Sequence, residues 1–143
     1  MKKTEDFIST HIIQPYGRRM IIVTPTSVED IKKMEQKWKL TNETDQLAGV
    51  YTVEDEGWNS ILVMFNMCLD QTVTYGMLAH EALHIVDDVF HTIGHSYNVE
   101  NNEPGTYLIE WVVNTIIDHF LERKLMEELT TQTKIKPIDK NSI

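Results

Sequence analysis

Short apolar runs separated by turn residues dominate the first half of the chain. Met20–Val23 is a β-prone run that ends at Thr24-Pro25, and we predict that it forms the first strand. Residues 47–54 and 58–66 are two further β-prone runs, and Asp55-Glu56-Gly57 between them has the composition of a tight turn. We therefore expect these two runs to form a hairpin.

The polar segments on either side of the first strand lead to two further expectations. Residues 1–19 are expected to be a polar lead-in with a short helix near 4–13, broken at Pro15-Tyr16-Gly17. After the strand, acidic residues follow Ser27 and lysines come later, the charge order that the dipole of a helix favours. A helix from about 27 to 39 is therefore predicted.

The second half of the chain has the apolar spacing of helices. A long helix is predicted over 70–93, with Asp70 as its N-cap and Gly94 just beyond its end. Pro104 suits the first turn of a second helix, which is expected to run to about Leu129 before a polar tail. The pattern as a whole predicts an α+β fold in one domain over 1–143, with its core at about 20–129.

The 70–93 helix has an apolar face and an ionisable face. At 100° per residue, His80 and His84 fall on a narrow stripe with Asp87 and His91, and Glu81 flanks the stripe. The apolar residues fall in a contiguous arc on the other side: Leu78, Ala79, Ala82, Leu83, Ile85, Val86, Val89, Phe90 and Ile93. We therefore expect the histidines to point away from the core.

His80-Glu81-Ala82-Leu83-His84 is the motif that carries the candidate chemistry. Residues four apart on a helix have Cβ atoms about 5–6 Å apart, so both imidazoles can reach one zinc ion. Glu81 is rotated away from the two ligands and can act as the general base for a zinc-bound water. The alternative is a solvated histidine and aspartate face that binds no metal.

A third zinc ligand is needed, and the next helix offers two glutamates. His91 lies about 10 Å along the helix from His84, which is too far to share an ion. The position six residues after His84 is Phe90, which disfavours the three-histidine pattern of metzincins. The two glutamates lie on one face of the next helix. The residues of that face are Glu103, Tyr107, Glu110 and Asn114. Glu103 is the preferred ligand; Glu110 is the alternative, or accepts a hydrogen bond from a ligand imidazole.

Composition and charge exclude several other classes of protein. The net charge of −9 and the absence of any basic cluster larger than a pair disfavour nucleic-acid binding. The single cysteine, Cys68, excludes an internal disulfide and a cysteine-rich zinc site. No run approaches the roughly 20 apolar residues of a membrane span, and no signal peptide is visible. We expect a cytoplasmic protein with no membrane partner.

The motif and the residues after it resemble a known family. The residues concerned are His80–His84, Phe90, Ile93-Gly94, Asn102-Glu103-Pro104 and Tyr107-Leu108. They are similar to small zincin-like proteins encoded by bacteriophages and prophages, and to gluzincin metallopeptidases. In gluzincins the third ligand is the glutamate of an Asn-Glu pair about 20 residues after the second histidine. The resemblance covers about residues 60–120 and implies that Glu103 is the third ligand.

The resemblance also implies a fold, a substrate and a location. The fold would be a minimal zincin-like domain, with a small, mostly antiparallel sheet packed on the motif helix and on the glutamate helix. The hairpin at 47–66 would supply an edge strand to which a peptide could add. The implied substrate is a peptide or protein, and the implied location is the cytoplasm of a bacterial host.

The chain departs from the gluzincin pattern at one position. Those enzymes have an aspartate four residues after the zinc glutamate, and Tyr107 stands there instead. Candidates for stabilising the transition state are His95, Tyr97, Tyr107 and His119, of which Tyr107 is the catalytic residue predicted beside Glu81.

Three functions follow from the sequence. The first is a zinc-dependent hydrolase, most simply a metallopeptidase. The second is a metal-stabilised binding or assembly protein of a phage or prophage, without peptidase activity. The third is an enzyme with the same constellation that acts on a non-peptide amide. The helix over 106–129 is apolar on more than one side, which predicts deep burial or a partner surface such as that of a homodimer.

Overall fold

The computed structural model describes residues 6–41, 46–69, 72–95, 100 and 102–130. Its main sheet has four strands: β1 (Ile8–Ile13), β2 (Arg18–Val23), β3 (Ala48–Asp55) and β4 (Trp58–Phe65). Their spatial order is β1-β2-β4-β3, with β2 and β4 parallel and the other two pairs antiparallel. The sheet is therefore mixed and mostly antiparallel, and the predicted α+β class is confirmed.

Three α-helices and a small second sheet complete the described part of the chain. They are α1 (Val28–Trp38), α2 (Tyr75–Ile93) and α3 (Glu103–Glu122), with β5 (Val73–Thr74) parallel to β6 (Leu129–Thr130). A 3₁₀ turn at Met126–Glu128 precedes β6. No helix in the described residues combines the length and the apolar character needed to cross a membrane.

The two central strands are buried on both faces, which explains their continuous apolar runs. On one face of β4, Ile61, Val63 and Phe65 join the core under α2 and α3. On the other face, Leu62 and Met64 pack with Met34 and Trp38 of α1. The helices thus cover opposite faces of the sheet, and β1 and β3 form its two edges.

Local sequence signals are confirmed at the hairpin and at the ends of two helices. Glu56 and Gly57 both have positive φ, 50° and 82°, as a tight hairpin turn requires. Ser27 caps α1 by accepting a hydrogen bond from the Asp30 amide at 3.1 Å. Gly94 ends α2 in the left-handed conformation, with φ 71°.

The predicted helix near 4–13 is wrong, because Ile8–Ile13 is the edge strand β1. The β-branched residues of this segment favour a strand, and it pairs antiparallel with β2. The predicted break at Pro15-Tyr16-Gly17 is the turn between the two strands, in which the Gly17 amide donates to the Ile13 carbonyl at 2.8 Å.

Both long helices are shorter than predicted. The N-cap of α2 is Thr74, whose hydroxyl accepts from the Met77 amide at 3.1 Å; the predicted cap, Asp70, lies outside the described residues. α3 ends at Glu122 instead of Leu129. Lys124 is left-handed there, and the Leu125 amide donates back to the Phe120 carbonyl at 2.8 Å. α2 begins directly after β5, whereas a turn and the 3₁₀ turn separate the end of α3 from β6.

Candidate metal centre beside the edge strand

The two histidines of the motif come together on the exposed side of α2. His80 Nε2 and His84 Nε2 are 3.1 Å apart, and the rings lie at 76° with centroids 4.8 Å apart. Zinc–nitrogen bonds of about 2.0–2.1 Å at a tetrahedral angle place two ligand nitrogens about 3.3 Å apart. The pair therefore has the separation of two zinc ligands, although a hydrogen bond between the imidazoles has a similar length.

Glu81 lies next to the histidines but is buried, with 8% of its surface exposed. Burial raises the pKa of its carboxyl, and positive charge on His80 and His84 acts in the opposite direction. A carboxyl with a raised pKa is a better proton acceptor than a fully solvated one, which is the property that a general base needs.

The burial of α2 corrects the predicted apolar arc. Leu83 is 46% exposed, Ile93 is 48% exposed and Ala79 is also exposed, whereas Glu81 is buried. The buried face is therefore rotated toward the side of the helix that borders β3. Hydrophobicity alone did not reveal this rotation, because it depends on where the edge strand lies.

A groove runs between α2 and the edge strand β3. Its first part, about 590 Å³, is lined by the first residue of β3, the two residues before it and the N-terminal half of α2, including Met77, His80 and Glu81. Its second part, about 440 Å³, is lined by residues 48–52 together with Glu81, His84 and Asp88. Glu81 and Ala48 border both parts, so the motif lies where they meet.

Asp88 fixes the far end of the groove to the sheet. Its Oδ2 lies 2.7 Å from Nη2 of Arg18, whose side chain is only 11% exposed. Arg18 is the first residue of β2, so this ion pair ties α2 to a central strand one helical turn beyond His84. No local sequence pattern indicates this pair, since its members are 70 residues apart.

The predicted residues of α3 lie on the exposed face of that helix. Glu103 and Glu110 are exposed, and Tyr107 is 65% exposed. At 100° per residue, this stripe is opposite the buried positions of α3. Those buried positions are Gly105, Leu108, Val112, Ile116, His119 and Phe120.

The structure does not bring a third ligand to the histidine pair. Across residues 6–41, 46–69, 72–95, 100 and 102–130, no three His, Cys, Asp or Glu side chains form a group that could hold a metal ion. The choice between Glu103 and Glu110 therefore stays a prediction, as do zinc binding and the catalytic role of Tyr107.

The other candidates for stabilising a transition state lie apart from the histidine pair or outside the described residues. His119 is 1% exposed and hydrogen-bonds Ser9 and Thr24 in the interior. His95 packs edge-on against Phe90, with centroids 4.8 Å apart. Tyr97 lies outside the described residues.

Comparisons with protein-family models, with curated proteins and with solved structures find no match to this chain.

Proposed function

We propose that this chain is a zinc-dependent hydrolase, most simply a metallopeptidase, whose zinc ligands include His80 and His84. The observation that carries the proposal is the 3.1 Å separation of the two Nε2 atoms beside the buried carboxyl of Glu81. Burial of an unpaired carboxylate costs free energy. If His80 and His84 were only a solvated surface without a metal, nothing would offset this cost at Glu81.

Glu103 is the proposed third ligand, and Glu110 the alternative. Glu103 is the first residue of α3 and lies on its exposed face, so its coordination requires the first turn of α3 to rearrange and turn this face toward α2 when the metal binds. Such coupling is common in metal sites, since metal binding and local folding share one free energy.

In the proposed reaction, the zinc ion, Glu81 and strand β3 each have a separate role. A bound zinc ion supplies positive charge that acidifies water and polarises a carbonyl group. Glu81 takes the proton of the attacking water and delivers it to the leaving amine. The substrate is a peptide in extended conformation, because β3 is an edge strand and runs along the groove that contains the motif.

Zinc binding is tested first. We expect the purified protein to hold about one zinc ion per chain, and His80→Ala and His84→Ala each to weaken zinc binding at least 100-fold, because either change leaves too few ligands. Isothermal titration of the metal-free protein with zinc measures the affinity. His91→Ala is the matched control, since His91 is an exposed histidine of the same helix. Equal zinc affinity in all four proteins would contradict the ligand assignment.

The third ligand is tested by two matched substitutions on α3. We expect Glu103→Ala to weaken zinc binding far more than Glu110→Ala, by about 10- to 100-fold, since a ligand contributes more than a carboxylate that only orients an imidazole. Both residues are exposed, so neither change should unfold the protein. The same titration measures the effect, and the reverse order would make Glu110 the ligand.

A second candidate function is that of a metal-stabilised binding or assembly protein without peptidase activity. The observation in its favour is the exposure of large apolar side chains on α2 and α3: Leu83 is 46%, Trp111 38% and Tyr107 65% exposed. Exposed aromatic and aliphatic side chains are typical of partner surfaces, including those of homodimers. This candidate needs the same zinc but not the proton transfer by Glu81.

A further inference from the structure

A second group of histidines lies at the opposite edge of the sheet from the groove. Ser9 Oγ is 2.6 Å from His119 Nδ1 and 2.8 Å from His11 Nε2. On its other side, His119 Nε2 is 2.8 Å from the Thr24 hydroxyl. One hydrogen-bonded chain thus joins edge strand β1, the residue after β2 and the last turn of α3.

Arg123 joins two of these elements, the β1 segment and the last turn of α3, through backbone carbonyls. Its guanidinium donates to the carbonyls of Asp6 and Ile8, the latter at 3.0 Å, and to the His119 carbonyl at 3.3 Å. The Phe7 carbonyl between them accepts from the Thr24 amide at 2.9 Å. Because carbonyls alternate along a strand, those of Asp6 and Ile8 face the outer edge of the sheet, and Arg123 covers them there.

We call Ser9, His11, Thr24, His119 and Arg123 the β1 latch. When both imidazoles are neutral, each imidazole and each hydroxyl carries one proton. These protons are sufficient for all three hydrogen bonds from His11 through Ser9 and His119 to Thr24. The protons can point in either direction, because a neutral imidazole donates with one nitrogen and accepts with the other. The latch therefore needs no charge on its histidines.

The surroundings of His119 oppose a positive charge on it. Burial lowers the pKa of His119 to about 3, and the charges of Arg123 and His11 act in the same direction. Burial also lowers the pKa of His11, where Arg123 assists and the carboxylates of Glu122 and Asp118 oppose. Within the described residues, the His119 imidazole hydrogen-bonds two hydroxyls and no carboxylate.

The location of the latch limits what acid can disrupt. Among the described strands, β1 pairs with β2 alone, and Arg123 lies just beyond the end of α3. The centre of the sheet, where Ile61, Val63 and Phe65 are fully buried, does not include any latch residue. Separation of β1 alone exposes a protonated latch imidazole to solvent. This opening needs less free energy than unfolding of the whole sheet.

We propose that the β1 latch is an acid-sensitive switch: protonation of its imidazoles opens it and releases edge strand β1, while the centre of the sheet stays folded. The sign follows from linkage. A histidine whose pKa is lowered in the closed form binds its proton in the open form first, so closure is complete above about pH 6.5 and weakens as the pH falls toward 3.

Amide hydrogen exchange at pH 7, 6 and 5 tests the switch, with rates corrected for intrinsic exchange. One extra proton in the open form raises the opening equilibrium by about 25-fold between pH 7 and 5. We expect β1 amides to lose protection by that factor or more, and amides of β4 to change less than threefold. His119→Gln should weaken the pH dependence of β1, because His11 is then the only latch imidazole that can take up a proton, whereas the exposed control His91→Gln should keep the wild-type dependence.

A second measurement keeps the test independent of whether His119→Gln folds. In the wild-type protein, the NMR signal of the His119 ring should not titrate from pH 7 to 5 in the population with a protected β1. The proposal is overturned if β1 and β4 lose protection together, if His119→Gln keeps the wild-type pH dependence, or if His119 titrates near pH 6.5 with β1 still protected.

Discussion

Glu81→Gln is expected to lower the rate of peptide hydrolysis by at least 100-fold while zinc binding is retained. Glutamine has nearly the same shape as glutamate but cannot accept the proton of the attacking water, and a positioned general base contributes about 10²- to 10⁴-fold. The residue is buried beside the histidine pair and borders both parts of the groove. This location is the reason for proposing Glu81 as the general base.

Steady-state cleavage of a fluorogenic peptide library, together with the zinc content of each protein, measures this effect. Asp87→Asn is the matched control, because it removes an exposed carboxylate from the same helix. A Glu81→Gln protein that keeps the wild-type rate would refute the general-base role. A wild-type protein that cleaves no peptide, and that unfolds when zinc is removed, would instead support the binding or assembly function.

The histidine pair could be predicted from the sequence because its geometry is local. A four-residue spacing on a helix fixes the approach of two side chains whatever lies around them, and His80 and His84 indeed converge. The same holds for the hairpin turn at Glu56-Gly57 and for the end of α2 at Gly94, where a left-handed backbone favours glycine. Signals carried within a few residues were sufficient at these places.

The features that the sequence did not reveal depend on contacts between distant segments. Ile8–Ile13 is a strand because β2 is available to pair with it, and the polar residues of this edge strand mask the β signal. The burial of Glu81 depends on the position of β3, and the early end of α3 accompanies the pairing of β6 with β5. None of these partners is within reach of a local pattern.

The prediction of the third ligand depends both on a local pattern and on contacts between distant segments. The spacing of Glu103 and Glu110 puts them on one face of α3, as the exposed stripe of that helix confirms. Whether that face meets α2 is set by how the helices pack, and the buried residues Leu108 and Val112 turn it toward solvent. Sequence periodicity thus identified the stripe but not its orientation relative to the histidines.

Asp55→Ala is expected to destabilise the fold by about 3–5 kcal/mol, the cost of removing one partner from a buried ion pair. Asp55 is 7% exposed and accepts from Trp38 Nε1 at 2.9 Å. Its other oxygen lies 2.9 Å from Nη2 of Arg19, whose side chain is 17% exposed. Its loss leaves a largely buried guanidinium and an indole N–H without their acceptor.

The neighbouring residue provides a control at the same arginine. Glu56 is 77% exposed and lies 3.8 Å from Arg19, so Glu56→Ala should change the free energy of unfolding by less than about 0.5 kcal/mol. Urea denaturation of the two variants and the wild type measures both effects. Similar losses in the two variants would mean that net charge near Arg19 matters and burial does not. A large loss of unfolding free energy confined to Asp55→Ala would show that the buried contacts of Asp55 stabilise the fold. Through Trp38 and Arg19, these contacts join the end of the hairpin to α1 and to β2.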